Sequence, residues 1–383
     1  MSAYDVEALR AAEFPWAARG DAVYLNNAST GPLPQRAVAA IDEWTRRRAE
    51  PFRLRDPELF ATLARARELA ARLIGAEAGE VALMANTSYG VNLAARALPL
   101  AAGDVVLTFD GEFPANVYPW MALAERGVRL ELVPSADGLP DEEALIRALD
   151  RREVRAVAVS WVQFATGYRA DLARLGRLCR ERGVWFFVDA IQGLGPCTLD
   201  VREVPVDLLA CGAQKWLLSP WGSGFCYVRR ELVQQLTPSA VGWLAVKGSD
   251  DFSRLVDYDF RLRDDARRFE VATIPYQDVA GFAASLSLLH ELGPARVAAH
   301  VQALADRIVA WAADRDDVRL VTPADPARRG GIVSLAPRDP AAASARLREA
   351  GVVHSVREGA VRLSPHGYNT PGELARALDA LAG

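Results

Sequence analysis

Short unbroken apolar runs alternate along this chain with stretches of helical spacing, and the alternation sets the fold expected of it. VALMA (81–85), DVVLTF (104–109), VRLELV (128–133), VRAVAVSWV (154–162), VWFFVD (184–189), VDLLACG (206–212) and GFCYVR (224–229) have the length and β-rich content of strands. Helical patterns lie between such runs, over 57–74, 90–97, 115–126, 141–150 and 170–182. This order predicts an α/β fold on a mainly parallel, seven-stranded sheet. The runs are continuous rather than alternating, as suits strands covered on both faces.

The pattern changes near residue 270. A long helical stretch, 276–313, precedes the strand candidates VRLV (318–321) and GIVSLA (331–336). A helix over 340–350, the strands VHSVR (353–357) and AVRLS (360–364), and a helix over 371–382 complete the chain. We therefore expect an N-terminal arm over 1–20, a large domain over 21–270 and a smaller α+β domain over 271–383. The charged stretch DYDFRLRDDARRF, 257–269, reads as loop.

Composition narrows the class. With 383 residues, 51% of them hydrophobic, the chain has ample material for a large core. A net charge of −4 argues against nucleic acid as a partner. No apolar run approaches the roughly 20 residues of a membrane helix. The start, MSAYDVEALRAAEF, lacks the form of a signal peptide. Cys179, Cys197, Cys211 and Cys226 show no CxxC spacing, so neither a metal site nor a disulfide framework is expected, and a cytoplasmic location is.

Against this background one lysine stands out. Arginine supplies nearly all the positive charge, and the only lysines are Lys215, in CGAQKWLLSPWG, and Lys247. Asp189 ends the apolar run VWFFVD, and Lys215 follows the next run. Each has an ordinary reading alone: Asp189 as a turn cap, Lys215 as a lysine whose stem covers apolar surface. Neighbouring parallel strands would bring both to the carboxyl edge of the sheet, where ligands bind. Pyridoxal 5'-phosphate wants this pair. Its aldehyde forms a Schiff base with an amine, and its ring nitrogen needs a carboxylate to stay protonated. Arginine cannot replace lysine in that role.

Further segments suit the same cofactor. In MANTSYGVNLAA (84–95) a helix begins near Gly90, and Thr87 and Ser88 before it suit a phosphate, or simply cap the helix. Phe113, in GEFPANVYPW, can stack on a flat ring or belong to the core. Arg357 and Arg362, in VREGAVRLSPHGYNT, can bind a substrate carboxylate or form structural salt bridges. His366 in the same stretch is ambiguous. Trp161, Gln163, Trp221 and Trp243 are candidates to line a substrate pocket.

From YLNNASTGPLP (24–34) to SPHGYNTPGEL (364–374), the order and spacing of these segments resemble the class V aminotransferase superfamily, fold type I of the pyridoxal phosphate enzymes. The closest-looking branch holds cysteine desulfurases, isopenicillin N epimerases and kynureninase-like enzymes. The resemblance implies that Lys215 holds the cofactor as a Schiff base and moves the α-proton, and that Asp189 pairs with the ring nitrogen. It implies that Gln192 contacts the phenolic oxygen, Phe113 stacks on the ring, and Thr87 and Ser88 bind the phosphate, with Gln214 as a further polar contact. Thr273, in FEVATIPY, would reach the phosphate of a partner subunit, which implies a homodimer with shared active sites. Arg362 would bind the substrate α-carboxylate, with Arg357 beside it and Ala28 and Ser29 lining the substrate side.

One departure bears on the reaction. Relatives that desulfurise cysteine carry a nucleophilic Cys between the two arginines, whereas here only Glu358, Gly359, Ala360 and Val361 lie there. A β-eliminating C–S lyase acting on an S-substituted cysteine is therefore the expected activity, with transamination or amino-acid epimerisation as alternatives. A protein that carries pyridoxal phosphate without catalysis would not need the arginine clamp. A Rossmann dehydrogenase would show a GxGxxG turn, which is lacking.

Overall fold

The computed structural model describes residues 4–382; residues 1–3 of the expected arm lie outside them. Each of the seven apolar runs forms a strand: Val81–Leu83 (β1), Val105–Phe109 (β2), Arg129–Val133 (β3), Val154–Ser160 (β4), Trp185–Asp189 (β5), Leu208–Gly212 (β6) and Gly224–Val228 (β7). They build one sheet in the order β1-β7-β6-β5-β4-β2-β3. All pairings from β3 to β6 are parallel, whereas β7 runs antiparallel to both neighbours. The strand order reverses between β2 and β4, which opens a crevice beyond their carboxyl ends.

Two helical expectations change. The stretch 115–126 is broken into short turns, with a helix only at Tyr118–Met121. Pro114 and Pro119 each lack the N–H a continuous helix would use. The stretch 276–313 splits into Tyr276–Leu292 and Pro294–Ala313. Gly293, at a φ of 86°, ends the first helix, and Pro294 starts the second. A helix at Gln35–Ala49, not anticipated, packs with Asp56–Leu73 against Tyr276–Leu292.

The C-terminal part holds a four-stranded antiparallel sheet: Val318–Leu320 (β8), Val333–Pro337 (β9), Ser355–Arg357 (β10) and Ala360–Leu363 (β11), in the order β8-β9-β11-β10. VHSVR divides at His354. Val352–Val353 pairs in parallel with Val23–Tyr24 in a separate two-stranded sheet, and a bridge from Asn26 to Ser364 ties the segment before Asn27 and Ala28 to the end of β11. Leu25 and Val23 are buried there with Val333, Leu335, Val361 and Leu363.

Candidate active site

Asp189 is the last residue of β5, and its neighbour on β6 is Ala210. Five residues beyond Ala210, the chain turns over the sheet edge at Lys215. Gly31 makes this approach possible. Its N–H donates to the Gln214 carbonyl at 2.9 Å, and a Cβ at Gly31 would lie 2.0 Å from the Lys215 carbonyl oxygen. Behind Lys215 the buried Trp216 donates its indole N–H to Gln192 Oε1 at 2.7 Å. His366 stacks on the same indole and bonds the Trp216 carbonyl through Nε2 at 2.9 Å, while Nδ1 accepts from the Gly367 N–H. Burial holds this imidazole down at about 4, so it is neutral and buttresses the lysine loop.

Among the described residues, neither Lys215 nor Asp189 forms an ion pair. Burial pushes the Asp189 carboxyl up to about 6, against the pull of the Ile191 N–H and of Lys215. Burial also draws Lys215 down to about 8; Asp189 opposes this, and Arg362 and Arg357 add to it. A usable fraction of the amine is therefore neutral and nucleophilic near neutral pH. The Phe113 ring centroid is 5.5 Å from Lys215 Nζ, and 44% of Phe113 is open to solvent. The ring meets Phe164 edge-on at 5.2 Å.

Thr87 begins the helix Thr87–Ala97, which Asn86 caps. Its hydroxyl accepts from the Gly212 N–H at 2.8 Å, which ties the helix N-terminus to the end of β6. Ser88 is exposed beside it. Gln214 lies across Gly212 from Thr87, since a Cβ on Gly212 would meet Gln214 Oε1 at 2.6 Å and Thr87 Oγ1 at 3.0 Å.

Gln192 is buried, and its amide also donates to the Ala28 carbonyl at 2.9 Å. One of its two amide hydrogens remains available. Ser29, the next residue, accepts from Arg362 Nη2 at 2.8 Å and from Arg357 Nη2 at 3.5 Å. Arg362 is only 2% exposed and has no acidic partner among the described residues. Its other bonds go to Ser355 Oγ and the Phe164 carbonyl, at 3.0 and 2.7 Å. Burial, and then Arg357, lower its pKa to about 10. Three of its five N–H donors are thus engaged, which leaves two for an anion.

Thr273 does not join this cluster. It is exposed ahead of Tyr276–Leu292 and makes no hydrogen bond to the site residues among the described ones. Trp161 and Gln163 are buried, whereas Trp221 and Trp243 lie open on the surface.

Sequence reasoning missed Glu112. It is buried and pushed up to about 7 by burial, with Ser160 and Gln163 opposing and Asp189 adding to the rise. It precedes Phe113, so its only signal was an acid within an otherwise aromatic and proline-rich loop.

The residues present suit pyridoxal 5'-phosphate. They offer an amine of lowered pKa, a buried carboxylate without a cation, an aromatic ring over the amine and a helix N-terminus with a hydroxyl. Comparison with known proteins agrees. Residues 23–361 match the aminotransferase class-V family, and the chain belongs to that family. It is accordingly a pyridoxal phosphate-dependent enzyme. An uncharacterized aminotransferase of Bacillus subtilis is 33% identical over 83% of this chain and 82% of its own. The isopenicillin N epimerase of Streptomyces clavuligerus is 32% identical over 94% and 95%. Among solved structures, a cystine C–S lyase in complex with cysteine persulfide shares the fold, with a TM-score of 0.88 at 23% identity over 97% and 99% of the two chains. No helix among the described residues is long and apolar enough to cross a membrane.

Proposed function

We propose that this enzyme is a β-eliminating C–S lyase acting on an S-substituted cysteine or a related amino acid. The state of the cysteines carries this reading. All four are buried, and burial raises every thiol, Cys179 and Cys226 to about 12. Thiols so placed stay protonated and are poor nucleophiles. The link between Arg357 and Arg362 is a tight hairpin, with Glu358 and Gly359 at φ 45° and 76°, and it leaves no loop to carry another thiol. Cleavage of a Cβ–S bond here would proceed without a protein persulfide.

The geometry supports the following roles. When bound, pyridoxal phosphate would withdraw electrons from the substrate Cα. Lys215 would hold it, then take the α-proton at Nζ. Asp189 would keep a proton on the ring nitrogen, Gln192 would contact the phenolic oxygen and Phe113 would cover the ring. Thr87, Ser88 and Gln214 would bind the phosphate. Arg362, assisted by Arg357, Ser29 and Ala28, would hold the α-carboxylate with its two spare donors. The Cβ–S bond would break with the electron pair leaving on sulfur, and hydrolysis would yield pyruvate and ammonia. Epimerisation would require a second acid, a role that His366, neutral and held behind Trp216, does not offer.

A homodimer belongs to the same proposal, with Thr273 reaching the partner's phosphate. Trp243, Leu255, Tyr258 and Phe260 surround a cavity of about 280 Å³ on the surface, and Tyr258 is 91% exposed. So much open apolar surface suits an interface.

The test is spectroscopic and chemical. Wild type supplied with cofactor should show a visible absorbance band that borohydride removes, and Lys215→Ala should not. S-substituted cysteines should then release pyruvate and ammonia in equal amounts. Conversion of an added keto acid to an amino acid would favour transamination, and loss of optical activity would favour epimerisation. Either result without pyruvate would overturn the lyase.

A further inference from the structure

Glu112 has a role that the site residues above leave open. It follows β2 in the turn Asp110–Phe113, where Gly111 adopts a φ of 83°. The turn points Glu112 into the crevice where the strand order reverses and leaves Phe113 facing Lys215. Glu112 Oε1 accepts from the Ser160 N–H at 2.7 Å and from Gln163 Nε2 at 2.8 Å, and Oε2 accepts from the Ser160 hydroxyl. Among the described residues it has no cationic partner. Ser160 ends β4 directly beside Asp189. Gln163 begins a loop held by its own backbone bonds with Gly167 and Tyr168. The next residue, Phe164, packs its ring on Phe113 and gives its carbonyl to Arg362.

A buried carboxylate without a cation is a costly way to fill space. Here its two oxygens collect three donors from Ser160 and Gln163, which a hydrophobic residue cannot do. We infer that Glu112 is a positioning residue: it bolts the loop that presents Phe113 to the loop whose Phe164 carbonyl orients Arg362, and so sets the grip on the substrate carboxylate. The inference rests on the assignment of that carboxylate to Arg362.

The experiment titrates the visible band of the cofactor-loaded enzyme with L-alanine, and with ethylamine, which lacks the carboxylate. Glu112→Ala removes all three bonds. Gln163→Leu removes only the link to the Phe164 loop and leaves the Ser160 contacts in place. Both should weaken alanine binding about tenfold while ethylamine changes less than about twofold. Glu112→Gln can still accept from the Ser160 and Gln163 N–H groups and donate to the Ser160 oxygen, so it should restore near-wild-type binding. KM should rise in the first two variants, with kcat within about threefold of wild type.

Unchanged alanine binding in Glu112→Ala would overturn the inference. So would an equal loss of alanine and ethylamine, which would make Glu112 a support of the fold alone. If Glu112→Ala does not fold, Gln163→Leu decides by the same criterion. Arg362→Ala, run alongside, separates two failures. If it also leaves the alanine-to-ethylamine ratio unchanged, the carboxylate assignment falls and the inference with it. If it alone changes the ratio, only the role of Glu112 falls.

Discussion

Asp189 shows how one residue sets function against stability. Its carboxylate is buried, and the Ile191 N–H is its one hydrogen-bond donor among the described residues. A folded pKa of about 6 lies above the ordinary 3.8. The unfolded chain therefore releases this proton first, and the cofactor-free protein loses stability as pH rises from about 4 through 6. Asn at 189 does not titrate and can still accept from Ile191. Asp189→Asn should make the cofactor-free protein more stable than wild type by about 3 kcal/mol at pH 7.5, with the gap closing near pH 4. Urea denaturation at the two pH values measures this. The same variant should lose at least about a hundredfold in kcat, because the ring nitrogen loses its proton partner. A variant less stable than wild type at pH 7.5 would mean that the carboxylate is not strained by burial.

At the scale of elements, the site is made by where strands end and helices begin. Gly212 closes β6, and its N–H holds the Thr87 hydroxyl at the helix N-terminus. A methyl group there would press on Thr87 Oγ1 and on Gln214 Oε1 together. The Gln214 side chain can swing away, but Thr87 belongs to a helix packed on β6 and cannot move alone. Gly212→Ala should therefore fold with a Tm within a few degrees of wild type, yet bind pyridoxal phosphate at least about tenfold more weakly. Equilibrium titration of the visible band provides the measurement. Wild-type affinity would show that Thr87 and Gln214 do not form the phosphate end.

In the assembled protein, Thr273 carries the proposal of a shared site. Thr273 lies exposed and apart from Lys215 within its own chain. If it serves a partner's site, Lys215→Ala and Thr273→Ala should complement each other. A hybrid dimer holds one site with both native residues, so mixing and refolding the two variants should restore roughly a quarter of wild-type activity, the statistical yield of such sites. Mixtures no more active than the Thr273→Ala protein alone would put Thr273 outside the shared site. The division into an arm, a large domain and a small domain at residues 20 and 270 also remains our proposal. The pairing of Val23–Tyr24 with Val352–Val353 and the packing of Tyr276–Leu292 on Gln35–Ala49 link segments across those boundaries.

The strands of the main sheet are legible in the chain alone. Six of the seven runs became strands buried almost throughout, because burial on both faces demands such runs, whereas Arg129–Val133, whose run carries Arg129 and Glu131, is a partly exposed edge strand and departs from that expectation. The chain also marked Lys215 and Asp189, because a solitary lysine and a strand-ending acid are conspicuous in one dimension. The remaining features of the site arose from contacts between segments distant in sequence. Nothing near Glu112 in sequence announces Ser160 and Gln163, since its partners come from another strand end and hydrogen bonds between segments leave no periodic trace. His366 likewise became a neutral support only when folding placed it against Trp216. Arg362 kept two uncommitted donors only because the four-stranded sheet buried it among neutral partners and, among the described residues, brought no acid to it.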